Sequence, residues 1–546
     1  MKEIFKPEFF TVLKQGYTKE QFVKDLFAGI IVGIVALPLA IAFAVASGVS
    51  PEKGLITAII AGFLISFLGG SRVQIGGPTG AFIVIVFGVL SQYGFDGLLI
   101  STILAGIFLI IFGLLRLGAL LKFIPHPLIV GFTSGIALVI FSTQIKDALG
   151  LQIDQVPAGF IEKWGAYFNA LGTINPIAVI ITVVTLLICI FFNKITNKIP
   201  GSFVAIILVT AAVAIFKLPV TTIETLYGEI PNNISLSIPD IDWSNIRFYF
   251  QPALTIALLC AIESLLSAVV ADGMIGSTHR SNTELIAQGI TNIVTPLFGG
   301  IPATGAIART ATNIRNGGRT PLAGMIHAVT LLFIMLFFGQ WAKLIPMSCL
   351  AGILLLVCYN MSEWRSFTSI LKGSAFDIIV LLTTFFLTVL VDLTVAIEVG
   401  IVLAAFLFMK RMADNGQGIL QDNENDYIEN YGHLPKEIEV YEISGPFFFG
   451  AAKHYSEVLK GRPSSTRVLI IRMRHVPFID ATGTHNFREA IKSLQSADKQ
   501  IILSGVQPDV RKALDQSGVS DLIGSNHIFD NFDVALPYAL EMVRKK

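Results

Sequence analysis

Long uninterrupted apolar runs recur along most of this chain, and they constrain its fold more than any other feature. A helix needs about 20 apolar residues to cross the ~30 Å hydrocarbon core of a bilayer. Candidate spans begin near Phe27, Leu55, Gly97, Ile129, Pro176, Phe203, Pro252, Leu285, Pro321, Trp341, Phe376 and Leu393. Two further apolar pieces, Thr79 to Leu90 and Thr304 to Ile314, are too short to cross alone, and counting them gives fourteen segments. In hydrocarbon every backbone N–H and C=O must be satisfied within the protein, so the runs are expected as helices. Of 546 residues, 53% are apolar and 14% are charged. Soluble domains carry about 25% charged residues, so an ordinary soluble fold is excluded. The net charge of +1 gives no basis for nucleic-acid binding. Cys189, Cys260, Cys349 and Cys358 each lie within an apolar run without metal-ligand spacing, and they read as small buried hydrophobes.

Charge divides the rest of the chain. Residues 1–26 form a polar leader, too long to precede a cleavable signal, so the run from Phe27 is expected to be a retained anchor. Thr18-Lys19-Glu20-Gln21 fits a capping box ahead of Phe22, Val23 and Leu26, which predicts a short helix lying on the membrane surface. Lys2, Lys6 and Lys14 favour a cytoplasmic N-terminus, and an even number of spans returns the C-terminus to the same side. Arg72, His279, Arg280, Arg315 and Arg319 then fall in inner loops, and the stretch from Thr221 to Asn245 faces outward. A multi-pass protein of the plasma (inner) membrane is expected. Residues 27–410 form the membrane domain and 411–436 a polar linker. In residues 437–546, β-rich runs (Ile438 to Ile443, Val468 to Met473, Ile501 to Val506) alternate with helical patterns, as in a small α/β domain.

The membrane domain repeats itself. Thr79-Gly80-Ala81 recurs as Thr304-Gly305-Ala306, and at the same offset of 225 residues Pro38 meets Glu263 and Ser47-Gly48 meets Asp272-Gly273. Segment one therefore corresponds to segment eight and segment three to segment ten, with repeats over about residues 27–217 and 251–410. Seven spans followed by seven similar spans must be inverted in topology, the usual build of secondary transporters. Both short segments follow glycine- and proline-rich stretches, Gly76-Gly77-Pro78-Thr79-Gly80 and Gly299-Gly300-Ile301-Pro302-Ala303-Thr304-Gly305. Broken backbone at membrane depth survives where protein covers it or where it lines a wet cavity. Two half-helices would aim their N-termini at one pocket, each with unpaired N–H groups and about half a positive charge. Such ends cradle anions, and Thr79 and Thr304 add hydroxyl donors.

Two ionisable residues stand out within the apolar runs. Glu263 lies near the middle of Pro252 to Ala271, and Arg309 lies one to two turns into the second short segment. Intramembrane charges are costly and usually functional. An arriving anion is repelled by ionised Glu263, and protonation removes that repulsion, so proton–anion symport is expected. Sodium coupling, with Glu263 and Ser267 as oxygen ligands, is the alternative. No other cofactor is expected beyond the coupling ion, proton or sodium.

At these residues the chain resembles the sulfate permease (SulP) family of anion transporters. The resemblance covers nearly the whole length. It is carried by Leu37-Pro38-Leu39-Ala40-Ile41-Ala42-Phe43-Ala44, by Gly76-Gly77-Pro78-Thr79-Gly80-Ala81-Phe82, by Ala261-Ile262-Glu263-Ser264-Leu265 and by the run from Gly299 to Gly318. It implies an α-helical polytopic fold of fourteen transmembrane segments, a seven-plus-seven inverted repeat with gate and core domains. It further implies a substrate held between segments three and ten. The implied lining is Phe43, Thr79, Gly80, Ala81, Phe82, Thr304, Gly305, Ala306, Ala308 and Arg309, with Glu263 and Ser267 at the coupling ion. Members carry sulfate, bicarbonate, chloride or dicarboxylates, and many are homodimers. Within the family the chain is similar to bacterial members that carry C4-dicarboxylates by proton coupling, which have Glu at the position of Glu263. Sodium–bicarbonate members have Asp there and Thr at the position of Ser267.

The C-terminal region resembles a STAS domain through Asp480-Ala481-Thr482-Gly483, which follows the strand pattern Val468 to Met473. The resemblance implies a regulatory phosphorylation at Thr482, at a helix N-terminus where phosphate is favoured, and a cytoplasmic regulator as partner. The plainer reading makes Thr482 an N-cap. His475 and His485 flank the motif without metal spacing. A passive anion channel and a nucleobase–cation symporter are the competing readings. No nucleotide loop, zinc motif or nucleophile elbow suggests an enzyme.

Overall fold

The computed structural model describes residues 5–119, 125–153, 156–157, 159–195, 201–228, 235–236, 246–391, 393–415, 419–420, 434–448, 451–452, 455, 458–459 and 466–544. It divides into two units, Met1–Ile401 and Val402–Lys546. The first is helical: α1 (Glu8–Gln15), α2 (Lys19–Ala46), α3 (Pro51–Leu68), α4 (Phe82–Leu114), α5 (His126–Leu149), α6 (Phe160–Asn169), α7 (Pro176–Ile195), α8 (Gly201–Phe216) and α9 (Ile223–Tyr227). It continues through α10 (Phe250–Ile275), α11 (Ser281–Leu297), α12 (Ile307–Arg315), α13 (Pro321–Ala342), α14 (Met347–Met361), α15 (Trp364–Ile370), α16 (Ala375–Leu390) and the start of α17 (Leu393–Asn415), whose remainder belongs to the second unit. Among the described residues, six helices are long and apolar enough to cross a membrane, and four shorter apolar helices accompany them.

Two sequence expectations are corrected here. The surface helix expected over the leader is instead the start of α2, which runs unbroken from Lys19 into the first span. Thr18 does cap it, accepting from the Gln21 N–H at 3.2 Å. The helix continues inward because Asp25, though fully buried, is satisfied: Tyr17, Gln21, the Arg319 N–H and Thr320 all donate to it. Second, Trp341 ends a helix and does not begin one. Helix α13 extends to Ala342, and α14 starts at Met347 after Pro346, whose ring pre-sets the entry. Within α4 the first short segment and the span after it are two helices divided at Gly94, whose φ of 70° and ψ of −175° interrupt the helix. Most of the stretch from Thr221 to Asn245 and most of the linker lie outside the described residues.

The helices of the first unit sort into two bundles. One holds α2, α3, α4, α10, α11, α12 and α13; the other holds α5, α7, α8, α14 and α16. Corresponding segments of the two sequence halves, such as α2 with α10 and α3 with α11, fall in the same bundle. Helix α1 is fastened to the first bundle through Glu8, which pairs with Arg72 at 3.3 Å and Arg280 at 2.9 Å. Helix α4 crosses α11 at close range. A Cβ on Gly106 would stand 2.6 Å from the Gly289 carbonyl oxygen, and a Cβ on Gly289 would stand 2.6 Å from that of Gly106. Small residues allow this backbone approach, which stands in for a hydrophobic driving force in lipid. Gly289→Leu is therefore expected to cost roughly 3 kcal/mol or more. Thermal unfolding in detergent tests this against Gly165→Ala, which enters open space. A Gly289→Leu protein that melts like the parent would refute the close crossing.

The second unit is a five-stranded sheet in the order β3 (Ile419–Leu420), β4 (Ile438–Ser444), β5 (Val468–His475), β6 (Gln500–Ser504) and β7 (Ile528–Phe529), with β3 antiparallel and the rest parallel. Its longer helices are α18 (Ala481–Ser496), α19 (Pro508–Gln516) and α21 (Phe532–Arg544), with the short α20 (Val519–Ile523) between the last two. Leu469, Ile471 and Met473 of β5 pack with Phe487, Ile491 and Leu494 of α18. Val468 and Ile470 pack on the other face, with Phe532, Leu536 and Ala539 of α21. Both faces are covered, which is why β5 reads as a continuous apolar run rather than an alternating one.

Candidate functional site

The two glycine- and proline-rich interruptions meet. Gly76–Gly77 (β1) pairs antiparallel with Thr304–Gly305 (β2), Gly76 opposite Gly305 and Gly77 opposite Thr304. The strands leading into α4 and α12 thus run in opposite senses, as an inverted pair requires. Glycine is needed for the approach: a Cβ on Gly76 would stand 2.2 Å from Ile65, and one on Gly305 would stand 1.8 Å from Gln74. The Ala306 N–H donates to the Ile75 carbonyl at 2.8 Å, and Thr310 accepts from the Ile75 N–H at 3.0 Å.

Polar side chains on α11 satisfy part of this irregular backbone. Asn292 grips Ala303 from both sides, donating to its carbonyl at 2.8 Å and accepting from its N–H at 2.9 Å. Glu284, fully buried, accepts from the N–H groups of Gly70 and Ser71 and from Gln288. Sequence reasoning missed all three. Their signal is a polar stripe at every fourth position, Glu284, Gln288 and Asn292, on one face of a membrane helix. Asn292→Leu leaves the Ala303 N–H buried and unpaired, and its carbonyl keeps only the weak Cys260 thiol donor at 3.3 Å. It is expected to cost roughly 2 kcal/mol or more, read as a lower melting temperature of the detergent-solubilised protein.

Between the two bundles lies a cavity of about 380 Å³. The first bundle contributes Phe43, Thr79, Gly80, Ala81, Glu263, Gly305, Ala306, Ala308 and Arg309, together with Leu39, Leu259, Ile262, Leu266 and Ile307. The opposite wall is mostly apolar: Leu128, Ile129, Phe132, Thr133, Val357, Asn360, Met361, Glu363 and Ile397. Glu263 is half-buried and accepts from the Thr79 hydroxyl at 2.9 Å. Arg309 is buried and donates to the backbone carbonyls of Gly76 and Pro78, at the approach to α4. Among the described residues its guanidinium has no carboxylate partner, so its charge stays uncompensated beside two helix N-termini.

Most of the expected lining residues meet at this cavity, and three turn elsewhere. Helix α12 begins at Ile307 with Ala306 as its N-cap residue, one turn later than the sequence suggested. Thr304 is therefore strand, and its hydroxyl contacts Ser264 at 2.7 Å and the Cys260 carbonyl at 3.1 Å, away from the cavity. Ser267 donates to Thr310 at 3.4 Å. Phe82, the first residue of α4, is buried in the apolar core. In the second unit Thr482 is exposed in the first turn of α18, and the N-cap is Asp480, which accepts from the Gly483 N–H. That corrects the reading of Thr482 as a cap. Glu363, Asn360 and Met361 line the cavity without any signal in the sequence, since they end an apolar run where polar residues look like surface.

Comparison with known proteins agrees with this architecture. The model of the sulfate permease family matches residues 22–384, and that of the STAS domain matches residues 434–535. The chain is 41% identical to "Putative sulfate transporter YvdB" of Bacillus subtilis (strain 168) over 95% of this chain and 98% of that protein. It is 30% identical to the bicarbonate transporter BicA of Picosynechococcus sp. (strain ATCC 27264 / PCC 7002 / PR-6), over 90% of each. The solved transmembrane domain of a cyanobacterial BicA superposes with a TM-score of 0.64 at 31% identity, covering 70% of this chain and 98% of that domain. The murine Solute Carrier 26 family member A9 anion transporter, at 17% identity, shares the fold with a TM-score of 0.88 over 98% of this chain and 94% of its own. A helical membrane domain built around two interrupted segments, with a STAS domain after it, is thus accounted for over nearly its whole length: the chain is a membrane transport protein of the sulfate permease family.

Proposed function

We propose that this chain is a secondary active transporter that moves a small anion by proton symport through the cavity between its two bundles. The observation that carries the reading is the uncompensated Arg309 guanidinium beside the N-termini of α4 and α12. Positive helix ends and a desolvated guanidinium attract anions and disfavour cations. Glu263, on the same wall, is the group whose protonation admits the anion. The Ser267 hydroxyl is engaged with Thr310, which favours a proton over sodium as the coupling ion. Sulfate and bicarbonate are the first candidates, because relatives bear those names, and C4-dicarboxylates are the third. We place the protein in the plasma membrane as a homodimer with both termini in the cytoplasm. Thr482, exposed in the first turn of a 16-residue helix, is a candidate phosphorylation site through which a cytoplasmic regulator would act. The test is uptake into proteoliposomes from a panel of labelled sulfate, bicarbonate and fumarate, at two pH values, with and without sodium. Uptake against a gradient, stimulated by acid outside and indifferent to sodium, is expected. Uptake that only follows the gradient would mark a channel, and a sodium requirement would replace the proton.

A further inference from the structure

We propose that Glu363 is a specificity-determining residue that sets the cavity's preference between singly and doubly charged anions; the proposal rests on the transport reading above. Among the described residues three ionisable side chains line the cavity: Glu263 and Arg309 on the first bundle's wall, and Glu363 on the wall opposite. Glu363 is only half-buried, and among the described residues its carboxylate has neither a hydrogen-bond partner nor an ion pair. A structural carboxylate would be expected to hold a partner, as Glu284 and Asp25 do.

Its backbone is also held in place. Glu363 sits between α14 and α15 at φ 42° and ψ 38°, the left-handed region that residues other than Gly, Asn and Asp rarely adopt. The surroundings impose this conformation. Ser134 of α5 donates to the Ser362 carbonyl at 2.5 Å, and the Ser362 N–H closes α14 on Cys358. Met361, two residues earlier, reaches across to the first half-helix, where a Cβ on Gly80 would stand 2.9 Å from its sulfur. The turn from Met361 to Glu363 therefore faces the N-terminus of α4. Unusual backbone of this kind clusters at ligand sites.

The charges explain what the residue does. Arg309 contributes one positive charge, and the two helix ends together contribute about one more. With Glu263 protonated for transport, ionised Glu363 leaves the cavity near one net positive charge, matched to a monovalent anion. Without Glu363 the cavity would match a divalent anion. Repulsion from Glu363 scales with the anion's charge, so in affinity its effect on a dianion is the square of its effect on a monoanion.

The experiment measures apparent affinities for labelled bicarbonate and labelled sulfate in proteoliposomes, at one pH and with the membrane potential clamped. Glu363→Gln is expected to tighten bicarbonate roughly fivefold and sulfate roughly twenty-five-fold, from unit charges interacting across a cavity of this size. Glu363→Asp keeps the charge and suits the backbone, so both affinities should stay near those of the parent. Equal changes for the two anions, no change, or Asp behaving like Gln would overturn the inference while leaving transport intact. Parent protein that takes up neither anion would overturn the transport reading, and the inference with it.

Discussion

Arg309→Ala should abolish transport, with initial anion uptake falling at least roughly a hundredfold at equal protein incorporation. Two losses combine. The guanidinium is the only cationic side chain lining the cavity among the described residues, so its removal takes away the charge that faces the anion. It also donates to the Gly76 and Pro78 carbonyls, which lie at the broken approach to α4. Truncating one member of a buried hydrogen-bonded set strands its partners. Arg309→Lys separates the two contributions. Lysine restores a positive charge, but a single ammonium cannot reproduce the planar fork that reaches two carbonyls. Partial recovery is expected, with weaker apparent affinity. Full activity in Arg309→Ala would show that the anion is held elsewhere.

Glu263→Gln should uncouple transport from the proton gradient. In the parent, ionised Glu263 repels the incoming anion and its neutral form does not, so uptake should rise as the pH falls. Glutamine is permanently neutral and can still accept from Thr79, so the 2.9 Å contact to the half-helix survives. Uptake by the variant is expected to be flat with pH, at the level the parent reaches in acid. Accumulation above the external concentration should disappear, while exchange of labelled for unlabelled anion persists. The measurement is uptake under an imposed pH gradient with the potential clamped. A Glu263→Gln protein that still concentrates its substrate with the parent's pH dependence would rule this carboxylate out as the coupling group.

Much of this protein was legible in its sequence, for a local physical reason. Hydrocarbon offers no hydrogen bonds, so each apolar run had to become a helix wherever its partners lay. The same rule marked the breaks at Gly76-Gly77-Pro78 and Gly299-Gly300-Ile301-Pro302 as sites needing cover, and it made Glu263 and Arg309 conspicuous as charges without water. The runs of β4, β5 and β6 were likewise visible because both faces of a parallel sheet are apolar. Side-chain direction and long-range pairing were not legible. Thr79 and Thr304 look equivalent in sequence, yet α12 starts at Ile307 while Ala81 precedes α4, so one hydroxyl reaches Glu263 and the other turns to Ser264. Asp25 is silent in the sequence, and Thr320, 295 residues away, supplies its hydrogen bond. Glu363 looked like the polar end of a span until folding set it across a cavity from Arg309. Composition and local pattern dictate which segments enter the membrane, because the solvent decides that residue by residue. Which side chains share a cavity depends on how two bundles meet, and that is decided by contacts hundreds of residues apart.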